Sequence, residues 1–176
     1  MCIRDRYIYN KLKKYESEVD KNDSTYWLYF ELIWRDFFKY VSMQHKDKFF
    51  SRDGIYGDNK EWSTDMEILS NWINGKTNEP FVNANMIELL ETGFMSNRGR
   101  QNVANYLTKE LKIDWRIGAE YFESMLIDYD VHSNYGNWLY NAGIGNDSMP
   151  FRKFNPKLQS ERYDPNKLYE KTWLND

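Results

Sequence analysis

The stretch MLIDYDVHSNYGNW, residues 125–138, gathers groups able to do chemistry. Two carboxylates two apart, Asp128 and Asp130, are followed by two asparagines, a glycine and a tryptophan. A strongly apolar segment precedes them, so these polar groups are led toward a packed interior. They either decorate an ordinary loop or line a pocket for something polar, flat and large.

Two further clusters pose the same choice. In ELIWRDFF, Glu31 and Arg35 stand four apart with Trp34 beside them. As a helix-surface ion pair they would contribute about 0.2–0.5 kcal/mol. The surrounding helix is too apolar for a simple surface element, so a carboxylate, an indole and a guanidinium could instead clasp a base-like ring. In MSNRGRQNVANYL, Asn97, Arg98, Arg100 and Gln101 crowd a helix start. Cations there oppose the helix dipole unless an anion partners them. A phosphate or a buried aspartate would resolve the conflict.

The elements that must position these groups read as helices. Residues 6–21 form a charged amphipathic helix. The next helix has an apolar face running through Trp27, Phe30, Leu32, Ile33, Trp34, Phe37, Phe38 and Val41, with Asn22, Asp23 or Ser24 as its cap. It is apolar on most sides, which predicts a central position. Residues 50–62, with Gly54 and Gly57, read as a loop. A short helix closes at Gly75, another starts after Pro80 and stops at Gly93, and Ser96 caps the next. A helix over about 115–127 leads into the first stretch. Beyond residue 143 the chain reads as mostly irregular. No alternating strand pattern appears, so the expected fold is all-α.

Composition narrows the classes. The 176 residues suit one domain with a real core. Aromatics reach 18%, enough to need a use beyond bulk or to fill a core with rings. A net charge of −3 argues against coating nucleic acid by bulk electrostatics, while leaving room for a local basic patch. The lone Cys2 excludes an internal disulfide and suggests a reducing compartment. No apolar run of about 18 residues could span a membrane, and the start lacks a signal-peptide core. His45 and His132 lie far apart, so no zinc site is expected. No nucleotide-loop or nucleophile-elbow motif occurs.

With these residues in view, the sequence resembles the photolyase/cryptochrome family in its DASH cryptochrome branch. The likeness runs from about Tyr7 to Leu174, carried by NDSTYWLYFELIWRDFF, FVNANMIELLETGFMSNRGRQNVANYLTKEL and ESMLIDYDVHSNYGNWLYNAGIGND. It implies a helical FAD-binding domain, C-terminal to an α/β antenna domain that would hold the antenna pigment. It places Asp128, Tyr129 and Asp130 on the flavin, Arg100 in a pair with the first acid, and Asn134 facing flavin N5. Arg35, Phe94 and Asn97 fall on the cofactor pocket. Trp138, Trp115 and Trp62 match three tryptophans that relay an electron to photoexcited flavin, at spacings of 23 and 53 residues. Taken singly, each tryptophan could equally be packing. Glu31, Trp34, Asn97 and Arg98 match positions that hold a flipped cyclobutane pyrimidine dimer. Gln101 and Tyr140 stand where duplex-repair enzymes carry methionine and tryptophan. A less apolar pocket suits single-stranded DNA, where no stacked duplex has to be opened.

Departures accompany the likeness. CIRDR occupies the place of a Cys-Leu-Ser-Pro-Arg-like stretch that grips the FAD phosphates, so residues 1–6 read as an altered start and 7–176 as a partial FAD-binding domain. Asn78 and Asn83 replace residues of the family's usual turn; asparagine tolerates positive φ, which would let the turn survive. The resemblance implies flavin-driven dimer repair by a monomer, cytoplasmic if bacterial, with organelle or nucleus also open. The alternatives are a blue-light photoreceptor binding nucleic acid, and a fragment unable to hold FAD.

Overall fold

Asn22 fixes the start of the longest helix. Its side-chain oxygen accepts from the Thr25 amide at 3.1 Å while Thr25 Oγ1 accepts from the Asn22 amide at 3.3 Å, so two orphan donors are satisfied reciprocally. In this computed structural model, which describes residues 3–174, that helix is α2 (Asp23–His45), and α1 (Ile3–Glu18) precedes it. Met1 and Cys2, part of the start expected to be altered, lie outside the described residues. A 3₁₀ turn at Lys46–Phe50 leads into the loop that carries Gly54 and Gly57.

The remaining helices are α3 (Met66–Ile73), α4 (Pro80–Thr92), α5 (Asn97–Asn105), α6 (Trp115–Met125), α7 (Val131–Ala142), α8 (Pro156–Tyr163) and α9 (Leu168–Leu174). A π turn, Tyr106–Glu110, extends α5. Among the described residues there is no strand, only one bridge joining Ser63 to Ile113. The fold is all-α, as the hydrophobic periodicity indicates.

The core lies where α3, α4, α5, α6 and α7 meet, around the fully buried Trp72, Trp115, Trp138, Met86 and Leu107. α6 packs on α7, α7 on α2, and α9 on α4. Glycines set two of these approaches. A Cβ on Gly136 of α7 would lie 2.2 Å from Phe38 of α2, and one on Gly118 of α6 would lie 2.3 Å from the Trp138 ring.

Two sequence expectations need correcting, and one needs detail. α2 is not central: only one stripe, including Leu32, Phe38 and Val41, is buried, while Ile33 and Tyr40 are each 61% exposed. Its apolar surface is wider than the neighbours that cover it. Beyond 143 the chain is irregular up to Asn155 and between the last two helices, but it also holds two short helices: Asn155 caps α8 with Pro156 in its first turn, and Asp164 accepts from the Tyr169 and Glu170 amides to start α9. The turn before α4 needs no left-handed asparagine. Gly75 supplies the positive φ there, and the Asn83 side chain clasps Thr77, accepting from its amide at 2.8 Å and donating to its carbonyl at 2.8 Å.

Candidate functional site

α7 positions the site, although its sequence does not advertise a helix. Asp130 caps it, accepting the Ser133 amide at 3.0 Å, and left-handed Gly143 ends it. Asn134, Asn137, Trp138 and Asn141 then recur at three- and four-residue steps and so share one face. That face walls a cleft of about 400 Å³. Glu31, Trp34, Arg35 and Phe38 of α2 line it too, as do Asn97, Arg100 and Gln101 of α5. Phe94, Asp128 and Tyr129 come from the links before α5 and α7.

Two arginines organise the charge. Arg100 donates through Nη2 to both oxygens of Asp128, at 3.0 and 2.9 Å, and through Nε to the Met95 carbonyl at 2.8 Å. This meets the cation's demand at the start of α5. Arg35 donates to Asp130 through Nη2 at 2.9 Å and Nε at 3.3 Å, and pairs also with the buried Asp5. Burial raises the Asp130 carboxyl, but the Ser133 amide and the Arg35 guanidinium outweigh it, holding the group below the ordinary carboxylate range. Asn134 spends its amide donor inward, on the Ala119 carbonyl at 2.9 Å, which leaves its oxygen as an acceptor.

The inner wall is aromatic and dry. Trp138 is 1% exposed, meets Phe122 edge-on at 5.1 Å, and keeps its indole N–H buried without a partner. An orphaned donor of this kind costs about 1–3 kcal/mol and invites an explanation. Gly118, which admits the Trp138 ring, lies one turn beyond Trp115 on α6. Trp115 and Trp62 donate their indole N–H groups to the same carbonyl, that of Arg52, at 3.2 and 3.3 Å. The three indoles therefore step from the cleft wall across α6 to a loop.

The structure thus brings Glu31, Trp34, Arg35, Phe94, Asn97, Arg100, Gln101, Asp128, Tyr129, Asp130, Asn134 and Trp138 around one cavity. Four other candidates lie outside its lining. Trp62 and Trp115 sit behind it on the Arg52 carbonyl. Arg98 turns to Gln101 Oε1 at 2.9 Å and over the Tyr163 ring at 4.8 Å. The Tyr140 hydroxyl accepts from Arg152 at 3.3 Å. Sequence reasoning missed Phe38, Asn137 and Asn141 in the lining and Asp5 behind it; the spacing of 134, 137 and 141 could have revealed the two asparagines. Among the described residues no cluster of His, Cys, Asp or Glu could hold a metal ion.

Aromatic walls, an acid–arginine edge and an amide acceptor suit a flat ring with polar atoms on one side. The orphaned Trp138 donor and the row of indoles suit one-electron chemistry on such a ring. Comparisons with known proteins bear on this geometry. A family model described as the FAD binding domain of DNA photolyase matches residues 27–176. A Cryptochrome DASH from Danio rerio is 55% identical over 173 residues, 98% of this chain and 33% of that protein. The crystal structure of a Synechocystis cryptochrome superposes with a TM-score of 0.94 at 56% identity, covering 97% of this chain and 35% of that one. An archaeal photolyase from Sulfolobus tokodaii, solved with two FAD molecules, gives 0.81 at 36% identity over 92% and 37%. The chain spans about a third of the length of the curated relatives it matches.

Proposed function

Because this chain belongs to the photolyase/cryptochrome family, through the FAD binding domain of DNA photolyase, we propose that it is the flavin-holding helical part of a DASH-type photolyase. In this reading residues 7–176 are a portion of that domain. The activity is blue-light-driven repair of cyclobutane pyrimidine dimers, preferentially in single-stranded DNA. The observation that carries the proposal is the cleft itself, where an acid–arginine edge faces a dry aromatic wall backed by three indoles.

FAD, when bound, supplies light absorption and the electron that opens the dimer. The chain supplies the rest. Arg35 and Arg100, each neutralised by an aspartate, give the cofactor donors without a large net charge. The Asn134 oxygen, left free by the bond its amide donor makes to Ala119, would accept from a ring N–H and could not protonate the ring. Glu31, Trp34, Asn97 and Gln101, on the cleft wall, offer an acid, a stacking face and amides to an unpaired pyrimidine pair. Trp138, Trp115 and Trp62 form a row along which electrons can be drawn from the protein exterior inward. In single strands no stacked base pair has to be broken first, which removes a cost of a few kcal/mol.

One observation favours photoreception instead. Arg98 and Tyr140, two positions expected to meet DNA, have their polar ends engaged by Gln101 and Arg152. The experiment begins by mixing the chain with FAD, desalting it and recording visible absorbance. The loaded protein is then illuminated with dimer-containing single-stranded and duplex oligonucleotides, and dimers are counted. Faster loss from the single strand supports repair. Intact photoreduction with unchanged dimer levels would replace it with photoreception, and no retained yellow chromophore would end both readings for this chain.

A further inference from the structure

The indole row has a neighbour that the proposed chemistry does not use. The Tyr135 ring lies 6.0 Å from that of Trp115, edge to face, and is wedged on its other side by Phe50 at 4.9 Å. Its hydroxyl donates to Glu123 Oε2 at 3.3 Å. Tyr135 is half-buried on α7 and Glu123 is exposed on α6, so the phenol faces the core and the carboxylate faces solvent. From these contacts we propose that Tyr135 is a redox-active tyrosine: it reduces oxidised Trp115 and hands its phenolic proton to Glu123.

The step balances. The oxidised Trp115 indole, a radical cation, gains one electron from the phenol. The Tyr135 O–H bond breaks and its proton moves to the Glu123 carboxylate. The products are a neutral indole, a neutral phenoxyl radical and a protonated carboxyl group. The oxidant is the photo-oxidised indole row, so in the light the inference rests on the function proposed above. A phenol yields a neutral radical only when its proton can leave, and an acceptor must lie within hydrogen-bond reach for that.

No indole of the row has such an acceptor. Trp138 Nε1 has no hydrogen-bond partner among the described residues, and Trp115 and Trp62 point at a backbone carbonyl, which does not take up protons. Glu123 is placed differently. Burial, reinforced by Glu123 and Glu120 and opposed by Arg116, pushes the Tyr135 hydroxyl up to about 12, so it remains a phenol until oxidised. Tyr129, on the cleft wall, also feels Glu123, and burial followed by that carboxylate raises its hydroxyl too. Glu123 therefore stands between a cleft tyrosine and a relay tyrosine, open to water that can carry the proton away.

The test needs no flavin. Azide radicals made by pulse radiolysis oxidise indoles of this chain, and transient absorbance follows indolyl decay and phenoxyl growth. The expected result is first-order growth of phenoxyl, independent of protein concentration, as indolyl decays. Tyr135→Phe, which keeps the ring against Trp115 and Phe50, should lose part of that phase and Trp115→Phe the same part, the remainder coming from other close pairs such as Tyr26 with Trp27 at 5.4 Å and Tyr121 with Trp72 at 5.8 Å. Glu123→Gln, an isostere that cannot accept the proton, should slow it several-fold and weaken its solvent deuterium effect. Urea midpoints close to the parent's identify variants that remain folded, and Glu123→Gln, changing only a solvent-exposed group, serves if Tyr135→Phe unfolds. A phenoxyl yield in Tyr135→Phe equal to the parent's, or an unchanged rate in Glu123→Gln, overturns the proposal. Because no cofactor takes part, loss of flavin binding leaves this test standing, and a negative result here leaves the repair reading intact.

Discussion

α2 and α7 pack on each other and line the same cleft, and their compositions invert their burial. α2 is long and rich in Trp, Phe and Tyr, yet Trp27, Ile33, Tyr40 and Met43 are exposed by more than half. α7 is short and carries three asparagines on one face, yet Asn134, Gly136, Trp138, Leu139, Asn141 and Ala142 are all buried. Burial is set by what covers a face, not by its hydropathy alone. α7 is enclosed by α2, α5, α6 and the π turn, whereas α2 meets α7 and α1 along a narrow stripe. Apolar residues on α2 thus report an uncovered surface, and polar residues buried on α7 report a cavity that needs them.

Substitutions can break this comparison, beginning with the largest effect. Leu139→Ala on α7, where the side chain is 2% exposed, should cost about 2–5 kcal/mol in urea unfolding, while Ile33→Ala on α2 should change stability by about 0.5 kcal/mol or less. Similar losses at both sites would mean that α2 is covered after all. Gly136→Ala tests the contact between the two helices. The new methyl would press on the Phe38 ring, so the expected loss is about 1–3 kcal/mol despite alanine's better helix propensity. A neutral result would show that α2 can slide away from α7.

The smallest effect concerns the C-terminal end of α7. Lys60 donates to the carbonyls of Ala142 and Gly143 at 2.8 and 2.9 Å, and Lys109 to Ala142 at 2.9 Å and also to Pro150. Burial, then the nearby Lys60 and Lys153 charges against Asp147, brings Lys109 down to about 8. Its folded pKa thus lies below the unfolded value of about 10.4, so between them the unfolded chain binds more protons and stability rises with pH. Lys60 shifts in the same direction. Above roughly pH 10 the raised tyrosines, whose folded forms hold their protons longer, reverse the slope. Urea midpoints taken from pH 8 to pH 10 should climb in the parent and climb less in Lys109→Met. Parallel profiles would remove Lys109 from the account.

Most helix boundaries before residue 125 were legible because their caps are local. Asn22, Ser96, Gly75 and Gly93 do what their side chains and φ preferences allow, within three or four residues of where they act. α7 was harder to read, since asparagines favour turns over helix interiors and the packing that overrides them is tertiary. α8 has little apolar content and α9 is only seven residues long, although Asn155 before Pro156 was a readable start signal. At the site, the grouping of Arg100 with Asp128 could be anticipated from a charge conflict at a helix start. The remote partners of Arg98 and Arg35 could not, because Tyr163 and Asp5 lie 65 and 30 positions away and no local rule brings them near.

The Arg52 carbonyl that receives both Trp62 and Trp115 belongs to the main chain. The side chain at 52 adds a second tie, since its guanidinium donates to the Trp62 carbonyl at 3.3 Å and lies 3.9 Å from Asp114. Exchanging that arginine would keep the carbonyl junction and lose this clamp, whereas a one-residue insertion nearby would pull the two indoles apart. In lineages and in the laboratory alike, this joint should resist changes in length more than changes in letters.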